Sequence, residues 1–334
     1  MSELAFPSAH VDGDVQAARP ETRIALSRVG VSGVEKFVRL GPAGAEEPYS
    51  VRIDCFVDLD AEQRGAHMSR FDESIEEAID KAVLRGSFRA ETLAGEIAEL
   101  VRARQGSGLA EVSVAARFPR LRRAPASGAA SQEVSTLLGT ARATRQGVRQ
   151  AVGVRAQGLT ACPCGQAMAT DAARKRLAEE GFDDDEIERV LARVPVATHN
   201  QRGLGTLWIG LPEERGRAAV DAEALLEIVE SSMSSEVYEL LKRPDEAHIV
   251  EKAHRRPRFV EDCVREMVRM AVERLGHLGP DTFVGARQEN LETIHQHEVE
   301  AERHGVLGDL ARELRGGDGP AVTGPTLAEW LARE

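Results

Sequence analysis

Period-two alternation brackets paired helical stretches twice along this chain, and that order leaves few folds open. The clearest alternation is Tyr49 to Leu59, where Val51, Ile53, Cys55, Val57 and Leu59 face one way. Thr22 to Leu40 also reads as strand, interrupted near Gly30 and Gly33. After a polar stretch from Asp60 to Arg70 come two amphipathic helices. Asp72 is placed to cap the first, with Ile75, Ala78, Ile79, Ala82 and Val83 as its apolar stripe. Thr92 is placed to cap the second, with Leu93, Ile97, Leu100 and Val101 facing inward. Ala110–Phe118 and Glu133–Ala143 read as strands, joined by a Pro/Gly/Ser loop. The first unit, residues 21–145, therefore reads β-β-α-α-β-β.

The order then repeats over residues 146–303. Gln150–Ala161 and Leu204–Leu211 are strand-like, separated by a charged helical insertion over 169–194. Asp221 caps a helix through Ser232, and Pro257 sits in the first turn of another that runs to Leu275. Thr282–Gln288 and Glu292–Val299 are the expected last strands. The two halves share element order and no residue-level similarity. The expected fold class is α+β, with two tandem modules. Residues 1–20 lack the apolar core of a signal peptide and read as a disordered lead-in. Residues 304–334 read as a C-terminal tail with a Gly/Pro break and a short helix at Leu327–Leu331.

Charge and cysteine usage narrow the function. The formal net charge is −12, which argues against neutralising a nucleic-acid backbone. No apolar run reaches the length of a membrane span, so no membrane partner is expected. Four cysteines, Cys55, Cys162, Cys164 and Cys263, form no disulfide framework, and a cytoplasmic location is expected.

Four segments of the second half concentrate reactive side chains. The strand ending at Ala161 runs into Cys162-Pro163-Cys164, a tight turn through which a strand does not continue. Cys162 could be an inert thiol, a nucleophile or a metal ligand. His199 lies in a polar turn just before a strand. Met233 to His254 carries Glu236, Lys242, Arg243, Glu251 and His254, and its Lys242–His254 run, taken alone, reads as a solvated loop. His295 and His297 form an H-x-H, which on a strand would put both rings on one face. Thiolate, imidazole and carboxylate together suit Zn²⁺ or Fe²⁺ better than Mg²⁺. There is no contiguous zinc signature.

Seven motifs together carry a family resemblance. They are R-G-A-H-M-S-R at Arg64–Arg70, T-A-C-P-C at Thr160–Cys164, H-N-Q-R-G at His199–Gly203 and S-S-E-V-Y-E-L-L-K-R-P-D-E at Ser234–Glu246. E-K-A-H at Glu251–His254, F-V-E-D-C-V-R at Phe259–Arg265 and T-I-H-Q-H at Thr293–His297 complete the set. The chain resembles the metal-dependent GTP cyclohydrolases, the group of archaeal MptA and bacterial type IB enzymes. The likeness runs from about Thr22 to Arg303, and the insertion before His199 is closer to the MptA form. One departure follows His297, where Glu298-Val299 replaces a small polar pair.

The resemblance implies the tunnelling fold, whose β-β-α-α-β-β modules form barrels between subunits. A homo-oligomer, in form a dimer of dimers, with interfacial sites is expected. It implies one divalent metal per site, Fe(II) or Zn(II). Cys162, His199 and Glu236 would be its ligands, with one of His295 and His297 as the fourth. It implies GTP as substrate, with Glu251 accepting from the guanine edge. Lys242, Arg243, Arg202 and the His67, Ser69 and Arg70 loop are expected near the phosphates. The implied reaction releases formate and forms a pterin, either 7,8-dihydroneopterin triphosphate or the 2′,3′-cyclic phosphate. A related enzyme using Cys162 as a nucleophile, or a non-catalytic purine-binding protein, stays open at this point.

Overall fold

Inward-facing Val51, Ile53, Cys55, Val57 and Leu59 are all buried, and they mark the strand around which the first module is built. The computed structural model describes residues 14–40, 47–85, 88–212, 220–316 and 324–333. The first module runs β1 (Leu26–Leu40), β2 (Glu47–Leu59), α1 (Met68–Arg85), α2 (Ala90–Gln105), β3 (Ala110–Arg123) and β4 (Ala130–Ala143). The second carries β5 (Val148–Ala161), β6 (Asn200–Gly210), α5 (Ala222–Ser232), α7 (Val260–Leu275), β8 (Phe283–Leu291) and β9 (Val299–Val306). Inserted in it are α3 (Pro163–Glu179), α4 (Asp184–Arg193), the two-residue β7 (Ser235–Glu236) and α6 (Arg243–Arg255). The expected tandem β-β-α-α-β-β order is present.

All strands join one antiparallel sheet in the order β1-β2-β3-β4-β5-β6-β8-β9, with β7 beside the free end of β5. The modules meet edge to edge at β4 and β5, in register from Thr136↔Arg155 to Ala143↔Val148. Helices α1, α2, α5 and α7 cover one face. A continuous apolar cluster, including Phe71, Ile97, Val154, Leu207, Ile228 and Met267, lies between them and the sheet. The approach of α2 is close. A Cβ on Gly139 of β4 would fall 2.2 Å from the Ala90 carbonyl carbon, so only glycine fits at this rung.

Several boundaries differ from those expected. Helix α1 starts at Met68, so Asp72 lies inside it and is not the cap. Helix α2 starts at Ala90 after Arg89, without a side-chain cap, and Thr92 is its third residue. Strands β3 and β4 run past Phe118 as a long hairpin, carrying Pro119 opposite Val134. The helical insertion begins at Pro163, directly after Cys162. The polar run after Lys242 is helix α6, where a solvated loop was expected. Helix α7 begins at Val260, capped by the Asp262 carboxylate accepting the Phe259 amide, so Pro257 precedes the helix.

Both ends of the described chain are held. Residues 14–20 fall in the expected disordered lead-in, yet Gln16 and Ala18 carbonyls accept the Gly65 and Arg64 amides at 3.1 and 2.8 Å. In the tail, β9 crosses the expected boundary after residue 303 and leads into α8 (Leu307–Leu314). The expected short helix is α9 (Leu327–Leu331), whose Trp330 is buried against Phe283. Residues 1–13 of the lead-in and 317–323 of the Gly/Pro break lie outside the described residues.

Candidate active site

The β5–β6 ladder ends at Ala161↔Asn200, which leaves Cys162 and His199 facing each other across the next rung. The Cys162 amide donates to the His199 carbonyl at 3.1 Å. Pro163 then starts α3 at its first position, where a missing N–H costs nothing. Cys162 is the N-cap of that helix, and its Sγ accepts the Gly165 amide at 3.4 Å. The amide dipoles of the first turn therefore face the sulfur. Thr198 Oγ1 donates to the Cys162 carbonyl at 3.1 Å and ties the two strand ends together.

A cavity of about 250 Å³ opens here, on the helix-covered side of the sheet, lined by Cys162, His199, Gln201, Glu292, His295 and His297 among others. The His199 Nδ1 is buried and has no hydrogen-bond partner. The Glu292 carboxylate is 3.9 Å from it and only 8% exposed. Gln201 Nε2 donates to Glu292 Oε1 at 3.2 Å. A buried ring nitrogen beside a buried carboxylate is the arrangement that orients a histidine ligand through its far nitrogen.

His295 and His297 are exposed, and their rings stack 5.0 Å apart. They do not lie on a strand as expected. Strand β8 ends at Leu291, opposite Arg202, two residues short of the Asn200 end of β6. Thr293 Oγ1 instead donates to the Asn200 carbonyl at 3.1 Å, and the chain bends away.

Cys164 is exposed, whereas Cys55 and Cys263 are buried and desolvation pushes both thiols up to about 12. Among the four, Cys162 alone lines this cavity.

The other expected site residues lie apart from it within one chain. Glu236 pairs with Gly158 on β5, roughly 13 Å along the strand from Cys162. Burial would raise its pKa, but the Lys252 ammonium at 2.5 Å, its own backbone amide and Arg122 together hold it below the usual carboxylate range. Glu251 is exposed on α6 and pairs with Arg255 at 2.8 Å. Lys242 and Arg243 are exposed at the start of α6. Arg202 is exposed on the opposite face of the sheet from His199, beside a second cavity of about 350 Å³. His67, Ser69 and Arg70 sit in the first module, where His67 meets Asp14 at 3.1 Å and Arg70 donates to the Arg104 carbonyl at 2.8 Å.

The donor chemistry at Cys162 and His199 fits a thiophilic divalent metal. Among the described residues, no three His, Cys, Asp or Glu side chains already stand as a closed cluster. The fit is thus to part of a coordination shell.

Sequence reasoning gave no role to Gln201, Asn290 or Glu292, although they lie in the polar segments around His199 and His295. Their signal was available: Gln201 and Asn290 are polar residues at inward positions of β6 and β8, and both are buried. Burying such groups is costly unless they are hydrogen-bonded, and here Gln201 donates to Glu292 while Asn290 accepts from Gln288.

Residues 13–301 match the family described as Type I GTP cyclohydrolase folE2. The chain belongs to this family. Its curated relatives include GTP cyclohydrolase MptA of Haloferax volcanii, 40% identical over 308 residues, which is 92% of this chain and 99% of that one. GTP cyclohydrolase MptA of Methanococcus aeolicus is 39% identical, over 90% of this chain and 99% of that one. That of Methanothermobacter thermautotrophicus is 40% identical, over 90% and 95%. Among solved structures, a uricase from Arthrobacter globiformis aligns with 83% of this chain and 92% of its own, at 9% identity and a TM-score of 0.49. The family match spans both modules and both strand ends that carry Cys162 and His199.

Proposed function

We propose that this protein is a metal-dependent GTP cyclohydrolase that opens the imidazole ring of GTP, releases C8 as formate and yields a pterin. The observation that carries it is the meeting of Cys162 and His199 over one cavity, in a chain whose curated relatives are named GTP cyclohydrolase MptA. The product is 7,8-dihydroneopterin 2′,3′-cyclic phosphate or 7,8-dihydroneopterin triphosphate, an early intermediate for pterin cofactors.

Cys162 and His199 would hold the metal, and the sulfur–nitrogen donor pair favours Fe(II) or Zn(II). When bound, such an ion supplies an activated water at neutral pH. Glu292, 3.9 Å from the His199 Nδ1, would orient the ring if the two close to hydrogen-bond distance. Of His295 and His297, one completes the donor set and the other delivers a proton to purine N7, a task suited to an imidazole. Glu251 accepts from guanine N1–H and the 2-amino group, which adenine does not offer. Lys242, Arg243, Arg202, His67, Ser69 and Arg70 meet the phosphates.

The dispersal of these groups within one chain supports a homo-oligomer with shared sites. Glu236 and the His67 loop come to the Cys162 cavity from a second copy. The test is anaerobic incubation of purified protein with GTP and Fe²⁺ or Zn²⁺. Formate in equal amount to a pterin of one of the two masses is expected. GTP binding without formate would show a purine-binding protein instead.

A further inference from the structure

Helix α6 bridges the two modules, and one carboxylate fixes its first-module end. Asp245 is fully buried. Its Oδ1 accepts the Ala126 and Ser127 amides, each at 2.8 Å. Its Oδ2 accepts the Ser127 hydroxyl at 2.6 Å and the Lys242 amide at 2.9 Å. Ala126 and Ser127 are in the turn of the β3–β4 hairpin, whose strand β3 is itself fastened to α5 by Arg120 and Arg122, each 2.8 Å from Glu230. Lys242 is the N-cap of α6. One side chain therefore satisfies an orphan donor of the helix start and grips a loop 118 residues away in sequence. Burial alone would raise the Asp245 pKa. The donors on Ser127, Lys242 and Ala126 outweigh burial and hold it well below the usual carboxylate range.

The other end of α6 is held separately. His254 Nε2 lies 3.3 Å from the Thr198 carbonyl, and Gln166 Nε2 donates to the His254 carbonyl at 2.5 Å. Between these anchors α6 carries Arg243 and Glu251, with Lys242 at its cap.

We propose that Asp245 is a positioning residue for nucleotide binding, clasping the β3–β4 hairpin so that Lys242, Arg243 and Glu251 stand in place. This rests on the GTP cyclohydrolase reading above. Asparagine in its place would keep the shape but turn one acceptor into a donor, and in either flip its NH2 would face at least one backbone N–H, from Lys242 or from Ala126 and Ser127, that cannot accept. The start of α6 would loosen while its His254 end stayed fixed. Substrate affinity should fall and the Cys162–His199 centre should not change.

The test compares Asp245→Asn and Ser127→Ala in the full-length, Fe²⁺-loaded protein, measuring formate release, metal content and thermal midpoint. For Asp245→Asn, KM for GTP should rise about tenfold, the scale of a hydrogen bond to a charged group. Its kcat should stay within about twofold and its metal content should match the parent, because the metal ligands are untouched. Ser127→Ala removes one donor of four and should raise KM by about twofold to threefold. Unchanged KM in both variants, or loss of kcat and metal at constant KM, overturns the clasp. If Asp245→Asn does not fold, Ser127→Ala decides by the same criterion. A parent protein that releases no formate speaks against the reaction itself. An active parent with unaltered variants counts only against Asp245.

Discussion

Cys162 and His199 meet on the rung just beyond the β5–β6 ladder, the amide of one donating to the carbonyl of the other at 3.1 Å. Cys164, two residues on, is exposed and does not line the cavity. Cys162→Ser should therefore abolish tight metal binding and formate release, since a neutral hydroxyl replaces a thiolate donor. Cys164→Ser should keep the metal. Metal analysis of the two purified variants checks this, and metal loss confined to Cys164→Ser would reverse the assignment.

Gly165 lets the first turn of α3 lie against the His199 ring. A Cβ there would fall 2.6 Å from Thr198 Oγ1 and 3.3 Å from His199 Cδ2. Gly165→Ala should displace His199 and weaken metal binding, with overpacking that costs about 1–3 kcal/mol of stability. Metal titration alongside thermal unfolding tests it. A variant with parental affinity would show that the ring position is not held by this contact.

The distance of Glu236 from Cys162 within a chain makes a statement about assembly. Cys162→Ser and Glu236→Gln should each be inactive alone. Co-expressed in mixed oligomers, they should regain activity, because some interfaces pair an intact Cys162 with an intact Glu236. Mixed oligomers as dead as either parent would place both residues in one chain's site, or remove Glu236 from it.

Glu266 ties together three arginines behind the cavity: Arg269 at 2.8 Å, Arg258 at 3.4 Å and Arg256 at 3.7 Å. The Arg269 hydrogen bond leads in drawing its pKa down to about 2, against burial and with help from Arg258. A carboxyl depressed on folding stabilises the folded state fully above its ordinary pKa of 4.5, and that stability drains as pH falls toward about 2. Glu266→Gln should thus lower the thermal midpoint at neutral pH, and the gap to the parent should narrow between those two values. A gap independent of pH would mean the arginines are held by other partners.

Local pattern was enough for the architecture and not for the contacts between distant segments. Alternation at Val51–Leu59 and the stripes at Ile75–Ala82 and Leu225–Val229 report burial directly, because a strand or helix with one apolar face has one place to put it. Helix α6 was obscure because its sequence is polar on most sides. Its stability comes from Asp245 and His254 reaching partners far away in sequence. The H-x-H read as strand because nothing local shows that the β6–β8 ladder ends at Arg202↔Leu291 and that the chain bends away after Thr293. At the site, Cys162 and His199 were legible from their motifs. Glu292 was not, since only the fold brings it beside the buried His199 nitrogen.

If the Cys162–His199 centre drives hydrolytic loss of C8 from GTP, that carbon must leave as formate. GTP labelled at C8 with ¹³C, incubated anaerobically with the Fe²⁺-loaded protein and followed by NMR, tests it most directly. Labelled formate and a pterin without label are expected from the parent, and neither from Cys162→Ser. Label retained in the purine-derived product, or formate released equally by Cys162→Ser, would contradict it.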